Sequence, residues 1–202
     1  MWEAVKRTID VVGAGLALVV LSPLLLALAA AIRLDSRGPA LFRQERLGRD
    51  RRPFSVAKFR SMRQDADDAL HREYIAQLAR GDVEGEGLRK LTADPRVTRV
   101  GRFLRATSLD ELPQLLNVLT GEMSLVGPRP ALEYELEHYA PSHFARFSVR
   151  PGLTGLWQVS GRAELGFTEM LDLDVEYVRV QGPLTDLRIL VRTPAALVGR
   201  TA

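Results

Sequence analysis

The stretch VVGAGLALVVLSPLLLALAAAI, residues 11–32, is the longest uncharged run in the chain, and its reading decides the fold. As one straight helix its 22 residues would measure about 33 Å, enough to cross a hydrocarbon core of about 30 Å. Three topologies compete. A cleaved signal peptide is suggested by Lys6-Arg7 before the run and Ala29-Ala30-Ala31 near its end. The run is too long for the apolar core of such a peptide, and Arg33 and Arg37 follow it at once. A spanning anchor should carry its arginine and lysine on one flank. Here Lys6 and Arg7 precede the run, while Arg33, Arg37, Arg43, Arg46, Arg49, Arg51 and Arg52 follow it. The third reading turns on Ser22-Pro23, almost mid-run. Proline removes a backbone donor and leaves the Val19 carbonyl without its helical partner. In hydrocarbon that is costly unless something reaches the oxygen, and the Ser22 hydroxyl can bond back and bend the helix. Two arms of about 18 and 15 Å would each reach one leaflet deep, entering and leaving by the same face. Prolines also occur in ordinary spanning helices, so local features leave anchor and re-entrant hairpin balanced.

Outside this run the chain is polar and arginine-rich. Its 202 residues, 46% apolar and 26% charged, make room for one domain with an appendage and exclude wholesale disorder. There is no cysteine, which removes disulfides, thiolate metal sites and cysteine nucleophiles. The net charge is only +3, and of 28 basic residues only Lys6, Lys58 and Lys90 are lysine. Arginine favours planar, bidentate recognition of phosphate or carboxylate.

Residues 40–48 and 53–60 read as short strands, with turn residues from Gly48 to Pro53 between them. Residues 65–78 read as a polar helix, and 80–94, with three glycines, as a mobile loop. Leu109, Leu112, Leu115, Leu116 and Leu119 lie at helical spacing and stop before Gly121. Residues 132–147 and 168–180 are further helix candidates, and 184–198 is amphipathic with Pro194 inside it. The expected class is α+β, mainly helical, with a short β-hairpin.

Chemistry concentrates in a few places. Ser108-Leu109-Asp110-Glu111 has the spacing of a capping box, Ser108 as N-cap and Glu111 as its partner. Two adjacent carboxylates can also share a divalent cation and offer an oxygen as nucleophile, since magnesium is held by one or two carboxylates plus substrate phosphates. In Gly127-Pro128-Arg129-Pro130 the two prolines stiffen the backbone on both sides of an arginine. Arg150-Pro151-Gly152 repeats the device, and Gly161-Arg162 places an arginine in a turn. With Lys58, Arg60 and Arg105 these suit a polyanionic substrate. Nucleic acid is the other polyanion, but no aromatic platform or recognition motif accompanies the arginines, so none is expected as a partner. His71, His138 and His143 read as surface residues, Trp157 as core, and Trp2 as an interfacial aromatic.

The motifs Lys6-Arg7, Asp10, Ser22-Pro23, Phe42-Arg43-Gln44-x-Arg46, Lys58-Phe59-Arg60-Ser61-Met62, Gly101-Arg102-Phe103-Leu104-Arg105, Ser108-Leu109-Asp110-Glu111-Leu112-Pro113, Gly127-Pro128-Arg129-Pro130 and Arg150-Pro151-Gly152-Leu153-Thr154-Gly155 follow in one order. The chain in this respect resembles the bacterial sugar transferases, the monotopic phosphoglycosyl transferases of lipid-linked glycan assembly. That resemblance implies a re-entrant membrane helix broken at Ser22-Pro23 (residues 1–37) and a cytosolic catalytic domain (38–202) with interfacial amphipathic helices, at the cytoplasmic face of the bacterial inner membrane. It implies phosphosugar transfer from a UDP-sugar to polyprenol (undecaprenyl) phosphate. Asp110 is then the nucleophile, forming a covalent aspartyl phosphosugar, and Glu111, with Asp110, the ligand of Mg2+. Lys58, Arg105, Arg129, Arg150, Arg162 and Asp174 fall on positions expected to meet phosphate or nucleotide. The chain departs from the pattern around Arg51, where a second glycine is usual after Gly48, and at Gln181-Gly182-Pro183. Against the transferase stand a membrane-anchored, metal-dependent phosphohydrolase using the same dyad with water, and a non-catalytic membrane adaptor in which Ser108–Glu111 only caps a helix. Nothing in the residues decides between a monomer and a homodimer.

Overall fold

A computed structural model describes residues 2–63, 69–80, 96–161 and 165–198. The apolar run lies inside one helix, α1 (Trp2–Asp35), of 34 residues and about 51 Å. It is long and apolar enough to cross a membrane by length and composition. The helix is not interrupted at Ser22-Pro23: the Ser22 hydroxyl donates to the Val19 carbonyl at 2.8 Å, the oxygen that Pro23 deprives of its usual donor.

One face of α1 is core. Ala14, flanked by Ala17, Leu18 and Leu21, packs with Val56, Leu115, Val118 and Met123. Further on, Leu28 and Ile32 pack with Phe59 and Leu104. These positions recur at helical spacing, and the opposite face leaves Leu16, Val19, Val20 and Leu26 exposed. Both ends of the helix are tied to the rest of the molecule. Lys6, read above as a charged flank of a membrane segment, pairs with Asp186 at 2.5 Å and donates to the Val126 carbonyl. Arg7 donates to the carbonyls of Val118 and Leu119 at 2.5 and 2.7 Å. Buried Asp10 accepts from the Ser124 hydroxyl and the Leu125 amide. At the other end Asp35 accepts from the Val100 amide at 2.9 Å, and buried Arg60 donates to the Ser36 carbonyl at 2.7 Å.

Strands β1 (Leu41–Leu47) and β2 (Pro53–Phe59) form the expected antiparallel hairpin, Leu41 opposite Phe59 and Leu47 opposite Pro53. Its turn holds both Asp50 and Arg51 at positive φ, 55° and 59°. Then come α2 (Ala69–Arg80), α3 (Arg99–Thr107), a 3-10 segment (Leu109–Gln114) and α4 (Leu115–Thr120). Strand β3 (Ser124–Val126) pairs in parallel with β4 (Gly152–Thr154). The backbones approach so closely that a Cβ on Gly152 would stand 2.0 Å from the Gly127 nitrogen. Helices α5 (Leu156–Ser160), α6 (Phe167–Val180) and α7 (Pro183–Val198) complete the chain. The expected α+β, mainly helical class holds, as does the amphipathic segment at 184–198.

Three expectations change. Residues 132–147 form two 3-10 segments, Glu133–His138 and Pro141–Ser148, because Pro141 holds Ala140 extended. The leucine-periodic stretch is not one helix: with Pro113 inside, it runs as 3-10 turn and then α4, leaving Leu116 exposed. His143 is buried, its Nδ1 accepting from the Ala140 amide and its Nε2 3.1 Å from Asp172. The 80–94 loop, apart from Arg80, lies outside the described residues.

Candidate active site

The carboxylate pair sits on the 3-10 segment between α3 and α4, directly after Ser108. Ser108 does not play the capping role its spacing suggested. It adopts a left-handed conformation, φ 57° and ψ 19°, closing α3, and its side chain does not cap the following turn. A non-glycine residue there costs of order 1 kcal/mol or more, and the sharp turn sends Asp110 and Glu111 toward the hairpin strand β2. Lys58 comes from that strand, its Nζ 3.3 Å from Glu111 Oε1. Arg129 enters from the proline-bracketed loop after β3, its Nη1 3.7 Å from the same oxygen. Arg105, at the end of α3, adds positive charge acting on Asp110.

The two neighbouring carboxyls are driven apart in acidity. Burial and the adjacent Glu111 charge raise Asp110 to about 6, against the pull of Lys58, Arg105 and its own backbone N–H. Burial also pushes Glu111 upward, but Lys58 and Arg129 outweigh it, and Glu111 ends well below the usual carboxylate range. Glu111 is therefore the more acidic of the pair and Asp110 the more basic, an order that would suit Asp110 to attack phosphorus. Burial lowers the Lys58 ammonium, with Glu111 opposing.

A cleft opens beside the dyad, lined by Arg46, Lys58, Glu111, Gln114, Arg129 and Gln158 among others. Arg46 was missed as a site residue. It is buried on β1, donates to the Pro130 carbonyl at 3.1 Å and to Gln44 Oε1 at 2.7 Å, and burial beside Arg129 lowers it to about 10. The signal was present: an arginine on the inward-facing side of a strand. Gln158 is buried too, with no partner for its Oε1 among the described residues.

Other expected contacts lie elsewhere. Arg150 donates its Nε to the Gly121 carbonyl at 2.9 Å and stands 3.5 Å from Glu3, so it fastens the start of α1. Asp174 is 1% exposed and pairs with Arg146 at 2.6 Å rather than facing the cleft. Arg162 lies outside the described residues. Among the described residues no group of three or more histidine, aspartate or glutamate side chains gathers. The carboxylates that could hold a cation are Asp110 and Glu111, and Lys58 and Arg129 both approach one oxygen of Glu111, Oε1. That donor set suits magnesium shared with substrate phosphates and not a full protein cage.

Comparisons with known proteins agree on one family. The profile described as bacterial sugar transferase matches residues 1–200. An exopolysaccharide production protein, ExoY, of Rhizobium meliloti is 42% identical over 196 residues, 96% of this chain and 86% of that protein. A UDP-glucose:undecaprenyl-phosphate glucose-1-phosphate transferase of Caulobacter vibrioides is 46% identical, covering 96% of this chain and 69% of its own. An undecaprenyl-phosphate galactose phosphotransferase of Salmonella typhimurium is 43% identical, and there this chain spans 40% of a longer protein.

Proposed function

The chain belongs to the bacterial sugar transferase family, and from that footing we propose that it transfers a phosphosugar from a UDP-sugar to undecaprenyl phosphate, in the assembly of a lipid-linked glycan. The observation that carries the assignment of roles is the dyad itself: two adjacent carboxyls with opposite shifts, cradled by Lys58 and Arg129. An Asp110 oxygen attacks the sugar-bearing phosphorus, the bond from that phosphorus to the bridging oxygen breaks, and UMP departs with the electron pair. A phosphate oxygen of the lipid then attacks the aspartyl phosphosugar and returns Asp110 as a free carboxylate. Splitting one transfer into two gives each half its own leaving group. Lys58, Arg105 and Arg129 offset the charge of the transferred phosphoryl group. Magnesium, held by Glu111 and Asp110, would supply further charge neutralisation at the diphosphate.

The same reading makes α1 re-entrant, an unbroken helix turned back within one leaflet by a bend at Ser22-Pro23, with the domain on the cytoplasmic face. Support comes from the polar ties at both ends of the helix. Lys6, Arg7 and Asp10 bond to Asp186, Val118 and Ser124, and Asp35 to Val100, all in the same domain. A helix threaded across a bilayer would put those partners on opposite sides, with polar protein inside hydrocarbon. On α7 the exposed Leu184, Leu187 and Val191 share one face, as an interfacial helix requires.

The test is UMP release from a panel of UDP-sugars in the presence of magnesium. Asp110→Asn is expected to lower the rate by at least about 10⁴-fold. Without undecaprenyl phosphate, release should stop near one UMP per protein; sustained turnover would instead make the protein a hydrolase.

A further inference from the structure

The segment that presents Arg129 is pinned at four consecutive carbonyls. The Pro128 oxygen accepts from the Gly152 amide at 2.8 Å and the Ala131 oxygen from the Leu47 amide at 2.8 Å. The Pro130 oxygen accepts from buried Arg46. The carbonyl of Arg129 itself accepts from Arg146 Nη2 at 2.6 Å. The same nitrogen donates to Asp174 Oδ2 at 2.6 Å, and Nη1 donates to the Tyr139 hydroxyl. The Arg146 guanidinium lies 5.4 Å from the Tyr139 ring centre and 5.6 Å from that of Phe147.

This unit is a poor choice if stability were its purpose. Arg146 is 4% and Asp174 1% exposed, and each retains a buried polar atom, Nε and Oδ1, with no partner among the described residues. A buried ion pair seldom outperforms apolar side chains of similar volume, so its value has to be sought in what it holds. It holds the backbone of the arginine that faces Glu111. We propose that Arg146, anchored by Asp174, is a positioning residue for the transfer: it fixes the Arg129 carbonyl and so the aim of the Arg129 guanidinium at the substrate diphosphate. Asp174 also faces the Arg129 backbone directly, a contact that favours its charged form, so it holds the segment both through Arg146 and by itself. The inference rests on the transferase reading above.

The test is a cycle of variants in the full-length protein, read as UMP release at saturating UDP-sugar. Arg146→Met combined with Asp174→Leu removes both charges together, so no unpaired ion is buried. Misplacing the guanidinium is expected to slow release by about 100-fold, with a smaller change in KM and a melting temperature near that of the unaltered protein. Arg129→Ala alone is expected to lose on the order of 100-fold. If Arg146 works through Arg129, the triple variant is little slower than the slower of these two. Should the charge-free pair fail to fold, Asp174→Asn, which keeps shape and an acceptor, gives the same comparison against Arg129→Ala. Losses that multiply, to about 10⁴-fold, would overturn the positioning role while leaving the transferase reading intact. Absence of UMP release from the unaltered protein would overturn that reading and the inference with it.

Discussion

Asp110 and Glu111 are neighbours in sequence yet occupy different electrostatic worlds. Lys58 and Arg129 both approach Glu111 Oε1, whereas Asp110 has burial and an adjacent negative charge against it. In metal-free protein, the Asp110 carboxyl followed by carbon-13 NMR is expected to titrate near pH 6, well above Glu111. Lys58→Met should move that titration to higher pH, because Lys58 is what draws Asp110 down; an unchanged or lower value would contradict the placement. That Glu111, Lys58 and Arg129 would come together beside Asp110 was legible, because each sits in a short motif whose residue types imply phosphate chemistry. Arg150 and Asp174, expected beside them, have protein partners instead of facing the dyad. A charged residue in a conspicuous motif looks alike whether it meets substrate or, as here, a carbonyl of Gly121 and a buried Arg146. Only the packing separates the two.

Among the elements, the β-hairpin was read almost to the residue, since alternation in both strands and turn chemistry between them agree. Its tip carries a local conflict. Arg51 takes φ 59° at the place where a glycine was expected, at a cost of roughly 1 kcal/mol for a side chain in that region. Arg51→Gly is therefore expected to raise the thermal midpoint by about 2–4 °C, measured by scanning calorimetry in detergent; a fall would show that the Arg51 contact over the Phe144 ring, 5.8 Å away, outweighs the strain. The stretch 132–147 does not form the expected single helix because the Pro141 ring dictates an extended conformation at Ala140. The dyad turn differs too. The Ser-x-x-Glu spacing is real, but Ser108 closes the helix before it rather than opening the next.

At the scale of the whole molecule, α1 is a core element as well as a helix apolar enough to cross a membrane. Because the chain contains no cysteine, single cysteines report topology without background. Ala4→Cys and Arg43→Cys, before and after the apolar run, are both expected to react with an impermeant maleimide in inside-out vesicles and to be protected in intact spheroplasts. Opposite protection of the two would establish a spanning helix. The apolar length of the run was plain in the sequence; that its Lys6-Arg7 flank serves intramolecular bonds was not, because charge beside an apolar segment looks the same whatever it contacts. Ala14, Leu28 and Ile32 fill two clusters of the interior, and they lie in a segment that leaves the ribosome before their partners Val56, Leu104, Leu115 and Val118. On the proposed membrane reading, the helix meets lipid before these partners exist, and the rest of the chain condenses upon it as on a template. Trimming the helix away to obtain a water-soluble enzyme would remove part of the mould on which the enzyme sets.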